Sequence, residues 1–248
     1  MVKNTRVGLG VALWLAAMAG VVILSVTVVP QILARLPHRL PLGVAIAVSM
    51  LQSGALVAVA VWAGITLSRP LGLGAPVFEA ALSGTGVGAA LRPQLIPAAM
   101  VGLVVGAALV LLERIAPAEL LALGNTYEIP LAAKLLYGRI TEETLMRWGL
   151  MTVFIWLPWR FLQKRAAPPR LIYVVGGIVS AAVLFGVAHL PAVAGMGAPV
   201  TPAIATFVVV GNTVPALLFG YLYWRWGLEA AMIAHALAHL VSVLAGAA

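Results

Sequence analysis

The 248-residue chain has no cysteine and no aspartate, and all seven of its acidic residues are glutamates. Without cysteine there is no disulfide, no thiolate metal site and no thiol nucleophile. No serine stands in a GxSxG setting, and the HExxH zinc-peptidase pattern is missing because Ala236 occupies the place of its glutamate. Charge as a whole is scarce. Charged residues make up 9% of the chain and hydrophobic ones 63%, whereas an ordinary soluble domain carries about 25% charged residues. A soluble globular protein is thereby excluded. The net charge of +8 does not point to nucleic acid. The basic residues flank apolar runs, as they do in membrane proteins, and no basic face is interleaved with aromatics. The expected surroundings are a lipid bilayer, with no nucleic-acid partner. No repeat of 20–50 residues is visible.

What the chain does have is long uncharged runs. Val7–Pro30 holds no charge over 24 residues, too long for the core of a signal peptide, which is about 7 to 15 residues. It reads as an uncleaved first span. Further spans are expected at Gly43–Leu67, Gln94–Leu112, Ile140–Trp159, Leu171–Leu190, Ala203–Trp224 and Gly227–Ala245. His38 falls in a connector among Arg35 and Arg39 and reads as a solvated loop residue. Pro76–Leu82 reads as a short interfacial helix, and Glu229 as an interfacial end charge near Arg225. Gly102 and Gly106 form a GxxxG, which permits close helix packing. The expected fold is all-α: one integral, multi-pass membrane domain over 1–248, with about 7–8 spans plus interfacial amphipathic helices. Its parts are N-terminal spans (1–112), an amphipathic connector (113–139) and core helices (140–248). In a bacterium the host would be the inner or plasma membrane.

Arg160, Lys164, Arg165 and Arg170 make the most basic loop, the best candidate for a cytoplasmic one. Seven spans then place the N-terminus inside. Lys3, Arg6, Arg69, Arg92 and Arg225 agree with that orientation; Arg35, Arg39, Arg114, Lys134 and Arg139 oppose it. On this count Glu142 lies near the outer face, provided that the connector does not itself cross.

Two of the seven acids, Glu142 and Glu143, are adjacent at the mouth of an apolar run. Charge at such a place is expensive and marks function. Glu143 and Arg147 are four apart and share a helical face, with the acid on the favourable N-terminal side. Glu142 points about 100° away, without a local partner. Three of the four histidines, His189, His235 and His239, also lie in apolar runs, and the last two are four apart on one face. Antiparallel neighbours bring Glu142, Glu143 and His189 level. A carboxylate withdrawn from bulk water is a usable base near neutrality, and a nearby imidazole can relay its proton. A second histidine, or a histidine pair, can donate to a developing oxyanion. The same residues also suit zinc, with the HxxxH of the last span joined by Glu and His from others.

Glu142-Glu143-x-x-x-Arg147, then Phe185-x-x-x-His189, then His235 four before a polar residue, is similar to the motif order of the CPBP (CAAX protease and bacteriocin-processing) family. The stretch Leu218-Phe219-Gly220-Tyr221-Leu222-Tyr223, leading through Gly227-Leu228 to His235, adds to the likeness, which covers about Glu142 to His239. These residues resemble the type II CAAX prenyl endopeptidases, which are intramembrane glutamate proteases. The resemblance implies that Glu142 and His189 activate the hydrolytic water, that Glu143 and Arg147 support the site, and that His235 and His239 bind the oxyanion. The family usually has asparagine where this chain has His239. It further implies a peptide or membrane-protein substrate, prenylated or not, and no required cofactor, with zinc left open. Two other classes stay in view. One is a non-catalytic partner or immunity protein of the same fold. The other is a proton-coupled transporter, which the lack of visible inverted repeats disfavours.

Overall fold

The computed structural model describes residues 2–35 and 40–246. His38 and Arg39, read above as part of a solvated connector, lie outside the described residues. Among those described there is no strand. Uncharged runs become long helices because a backbone in hydrocarbon must satisfy its own hydrogen bonds.

The chain opens with α1 (Val2–Thr27), continued almost without a break by α2 (Val29–Leu33), and returns through α3 (Leu42–Leu67). A short α4 (Pro76–Ser83) starts on a proline and stops at Gly84 in the left-handed region (φ 67°). Next come α5 (Val87–Arg114), α6 (Ala118–Thr126) and α7 (Leu131–Ala133). From α7 the helix runs on as two wider, π-helical stretches, Lys134–Glu142 and Thr144–Met151, and closes as α8 (Thr152–Phe161). α9 (Leu171–Ala188), α10 (Leu190–Gly195), α11 (Pro202–Trp226) and α12 (Leu228–Leu244) complete the bundle. Among the described residues, five helices are long and apolar enough to cross a membrane: Thr5–Leu33, Leu42–Leu67, Val87–Arg114, Leu171–Gly195 and Pro202–Trp226. α12 is apolar but shorter. α12 and the helix through 131–161 pack among these five. The chain is an integral membrane protein.

The connector differs from its sequence reading at one end. α6 is separate, but residues 131–139 belong to the helix that carries Glu142. That helix lies antiparallel to α1. Thr141 Oγ1 donates to the Ala17 carbonyl at 2.7 Å, and Gly20 leaves room for the Leu136 backbone. Further along, the indole of Trp148 sits on Gly64 of α3 and donates from Nε1 to the Val61 carbonyl at 3.4 Å.

α12 is fixed twice. A Cβ on Gly102 of α5 would stand 2.8 Å from the Ala234 carbonyl oxygen, and one on Gly106 would stand 2.6 Å from Val241 Cβ. The GxxxG is thus the surface on which α12 rests. At its start, Gly227 turns the chain sharply out of α11 (φ 113°). Glu229 is carried beneath α4, where its Oε1 accepts from Val77 N and Phe78 N, both at 2.9 Å. Glu229 is therefore buried, 6% exposed, and is not the interfacial partner of Arg225 that the sequence suggested. The unpaired amide groups of the first turn of α4 attract a carboxylate more strongly than a solvated arginine does. Gly106→Leu is expected to cost about 1–3 kcal/mol by overpacking. A clear drop in the thermal midpoint of the detergent-solubilised protein is the measurement.

The bundle has two unlike ends. The start of α1, the end of α3, α4, the start of α5, the 162–170 loop and the α11–α12 turn share one end. There Thr5, Arg6, Ser68 and Arg69 line a common recess with Glu79, Leu228 N donates to the Gly74 carbonyl at 3.0 Å, and α8 closes on residues 69–71. At the other end Gln31 Nε2 donates to the Glu128 carbonyl at 2.7 Å, Arg35 to the Thr126 carbonyl at 2.9 Å, and the Tyr127 hydroxyl to the Met196 carbonyl at 3.0 Å.

Candidate active site

A cavity of about 520 Å³ opens between α1, α5, the 131–151 helix, α9–α10, α11 and α12. That is within the range of roughly 300–1,000 Å³ for small-ligand sites. Its outer walls are apolar, from Leu24, Val28, Ile32, Leu109 and Met196. Its polar lining comes from Lys134, Tyr137, Glu142, His189, Asn212, His235 and His239. Four of the six residues singled out from sequence, Glu142, His189, His235 and His239, face this one cavity. Three separate helices deliver them.

Glu143 and Arg147 stand behind the wall. Glu143 is fully buried and its Oε2 meets Arg147 Nε at 3.1 Å. Arg147 also donates from Nη2 to the Ala216 carbonyl at 3.2 Å, and its guanidinium lies over the rings of Phe185 (5.2 Å) and Phe219 (5.6 Å). Guanidinium groups tolerate such a stacked, weakly hydrated place better than ammonium groups do. Glu142, one residue earlier, turns into the cavity within charge–charge range of His189 and His235. Arg147, bonded to Glu143, is also within charge–charge range of Glu142.

His189 and His235 each have a tautomer set by a neighbour. His189 Nδ1 is 2.8 Å from the Phe185 carbonyl. A carbonyl can only accept, so Nδ1 carries the hydrogen and neutral His189 keeps the Nε2 lone pair free. His235 Nδ1 is 2.8 Å from Glu143 Oε1. It donates there, and Nε2 becomes a donor only in the imidazolium form, whose counter-charge Glu143 supplies. The His235 ring is stacked between Phe219 (4.7 Å) and His239 (5.0 Å). A Cβ added to Gly138 would lie 3.2 Å from His239 Nε2 and 3.6 Å from His235 Nε2. Both Nε2 atoms thus face one strip of bare backbone. Among the described residues, no three His, Asp or Glu side chains come together as a metal-ligand set.

Sequence reasoning missed the Glu143–His235 bond, since nothing in the spacing links residues 92 apart. It also missed Gly138, whose part is to have no side chain, and the cavity residues Lys134, Tyr137 and Asn212. Asn212 carried a signal: it is a lone amide in the apolar run 203–224, where amides are costly.

A family model described as "Type II CAAX prenyl endopeptidase Rce1-like" matches residues 124–241. The match takes in all six candidate residues and ends inside α12. Comparison with curated proteins and with solved structures gives no match.

Proposed function

We propose, from the match of residues 124–241 to the family model of type II CAAX prenyl endopeptidases, that the chain is an intramembrane endopeptidase in which Glu142 and His189 activate water. The observation that carries this reading is the single cavity shared by Glu142, His189, His235 and His239. Glu142 and the His189 Nε2 lone pair are both acceptors. A water held between them loses a proton to Glu142 as its oxygen adds to the scissile carbonyl. The resulting oxyanion takes hydrogen bonds from the Nε2 sides of His235 and His239. Donors fixed in advance in a dry site are worth far more than in water. The proton on Glu142 then passes to the leaving amine, and the C–N bond breaks. Glu143 acts through His235, holding its ring and charge, and Arg147 holds Glu143. The substrate is a peptide or membrane-protein segment. The apolar walls suit a large hydrophobic group beside the scissile bond, prenylated or not.

The test is substrate trapping. Membranes with the wild-type chain and with Glu142→Gln are compared by proteomics for proteins that accumulate uncut in the variant. His189→Ala should lower turnover by roughly 10²–10⁴-fold while the protein still inserts. A zinc-dependent peptidase would lose activity to chelators and regain it with added zinc. Here chelators should leave the rate unchanged. If Glu142→Gln leaves the cellular phenotype intact, the non-catalytic partner reading takes its place.

A further inference from the structure

The wall that α11 contributes to the cavity carries two hydrogen-bond acceptors that the proposed chemistry leaves unused. Pro215 stands inside α11 and lines the cavity, as do Gly211, Asn212 and Phe219. Proline has no N–H, so the helical bond from residue 215 to the Gly211 carbonyl is missing, and the pyrrolidine ring crowds that carbonyl. A helical carbonyl points along the axis toward the residue four ahead. The Gly211 oxygen therefore lies on the strip of wall between Gly211 and Pro215. Gly211 has no side chain to cover it, and a Cβ there would meet only Leu112 Cδ1, at 3.7 Å. Next to it, Asn212 donates from Nδ2 to the Val208 carbonyl at 2.8 Å. A carbonyl only accepts, so this bond fixes the amide, and Oδ1 is the atom left for the cavity. Among the described residues, no side chain donates to either oxygen.

Within a bilayer, an amide is costly to keep without a partner, and a carbonyl freed by proline needs a donor from elsewhere. An extended peptide brings one N–H at every residue except proline. The position suits such a guest. Phe219, two turns beyond Gly211 on the same face of α11, stacks on His235 at 4.7 Å. Those two turns measure about 12 Å at 1.5 Å per residue, which an extended chain covers in three to four residues at about 3.3 Å each. We infer that the Gly211 carbonyl and Asn212 Oδ1 form a subsite for the substrate's main chain. It takes N–H groups of an extended stretch about two to four residues from the scissile bond. The inference rests on the endopeptidase reading for the cut itself. Recognition at this place is of backbone rather than of side chains. A helical segment has to unwind before it is cut, because its N–H groups are already bonded, and proline at the contacted position is rejected.

The probe is a pool of short peptides built from alanine and leucine, made with every amide intact and with one amide at a time replaced by an ester, which removes a single N–H. Cleavage by the full-length protein in detergent is read by mass spectrometry, and binding is read with Glu142→Gln. The expected result is that an ester two to four residues from the cut raises KM roughly five- to tenfold, the worth of one hydrogen bond, with kcat nearly unchanged. Esters further away have no such effect. Asn212→Leu raises KM for the all-amide peptide by the same factor and no longer distinguishes amide from ester at one position. Pro215→Ala supplies the missing N–H and draws the Gly211 carbonyl back into the helix. It should also raise KM, with a thermal midpoint that is unchanged or higher, which a merely structural role for Pro215 would not produce. Equal cleavage of every ester, or an Asn212→Leu protein that keeps the wild-type KM and ester preference, overturns the inference. If no peptide is cut but binding shows the same dependence on the ester and on Asn212, the subsite stands and the peptidase reading fails. Binding without that dependence, or no binding at all, overturns the subsite.

Discussion

Glu142→Gln is expected to reduce peptide cleavage by roughly 10²–10⁴-fold, the usual contribution of a positioned general base, with little change in yield or thermal midpoint. Glutamine keeps the size of the side chain and one carbonyl oxygen, so a water can still be held beside His189. It cannot take the proton. The small effect on stability is the informative half. Glu142 lies at the cavity surface, and Arg147 is bonded to Glu143, so no buried partner is orphaned by the change. The measurement is a single-turnover rate on a peptide recovered by trapping, together with a melting curve in the same detergent. Retained cleavage would remove Glu142 from the chemistry.

Arg147→Ala has the opposite profile, with a large loss of folded protein. Truncating one member of a buried ion pair costs about 3–5 kcal/mol, because the other charge is left without compensation. Here Glu143 would keep only His235, the Ala216 carbonyl would lose its donor, and the faces of Phe185 and Phe219 would lose their cation. The double change Glu143→Gln with Arg147→Met is expected to recover part of that stability, since neither charge then remains buried and unpaired. It should not recover activity, because the His235 Nδ1 would face a neutral amide in place of the carboxylate that supplies its counter-charge. A double-mutant cycle read by both melting and cleavage checks this. Additive losses in stability would mean that the two groups are not coupled.

The helical fold was legible because its cause is local: an uncharged run of this length has few alternatives in hydrocarbon. The Glu143–Arg147 pair was legible for the same reason, four residues along one helix. The three histidines stood out because imidazoles are rare in such runs. The handling of Glu229 was not legible, since its partners are backbone amides about 150 positions away and any residue supplies those. The π-helical winding from Lys134 to Met151 was not legible either. The apolar pattern there is compatible with an ordinary helix, and the difference lies in which carbonyl each amide selects. Gly102 and Gly106 were visible as a pair, but the sequence did not say which helix they receive.

α12 spans 17 residues, about 26 Å at 1.5 Å per residue, against a hydrocarbon thickness of roughly 30 Å. Its start is pinned under α4, so the shortfall is taken up entirely at its other tip, above His239. Lipid meeting that tip must thin, or headgroups must sink, to avoid an exposed step. The depression brings bulk solvent several ångströms closer to the histidines than the nominal depth of the helix suggests. Water bound for a cavity at this depth needs such a supply route, and the short α12 offers it.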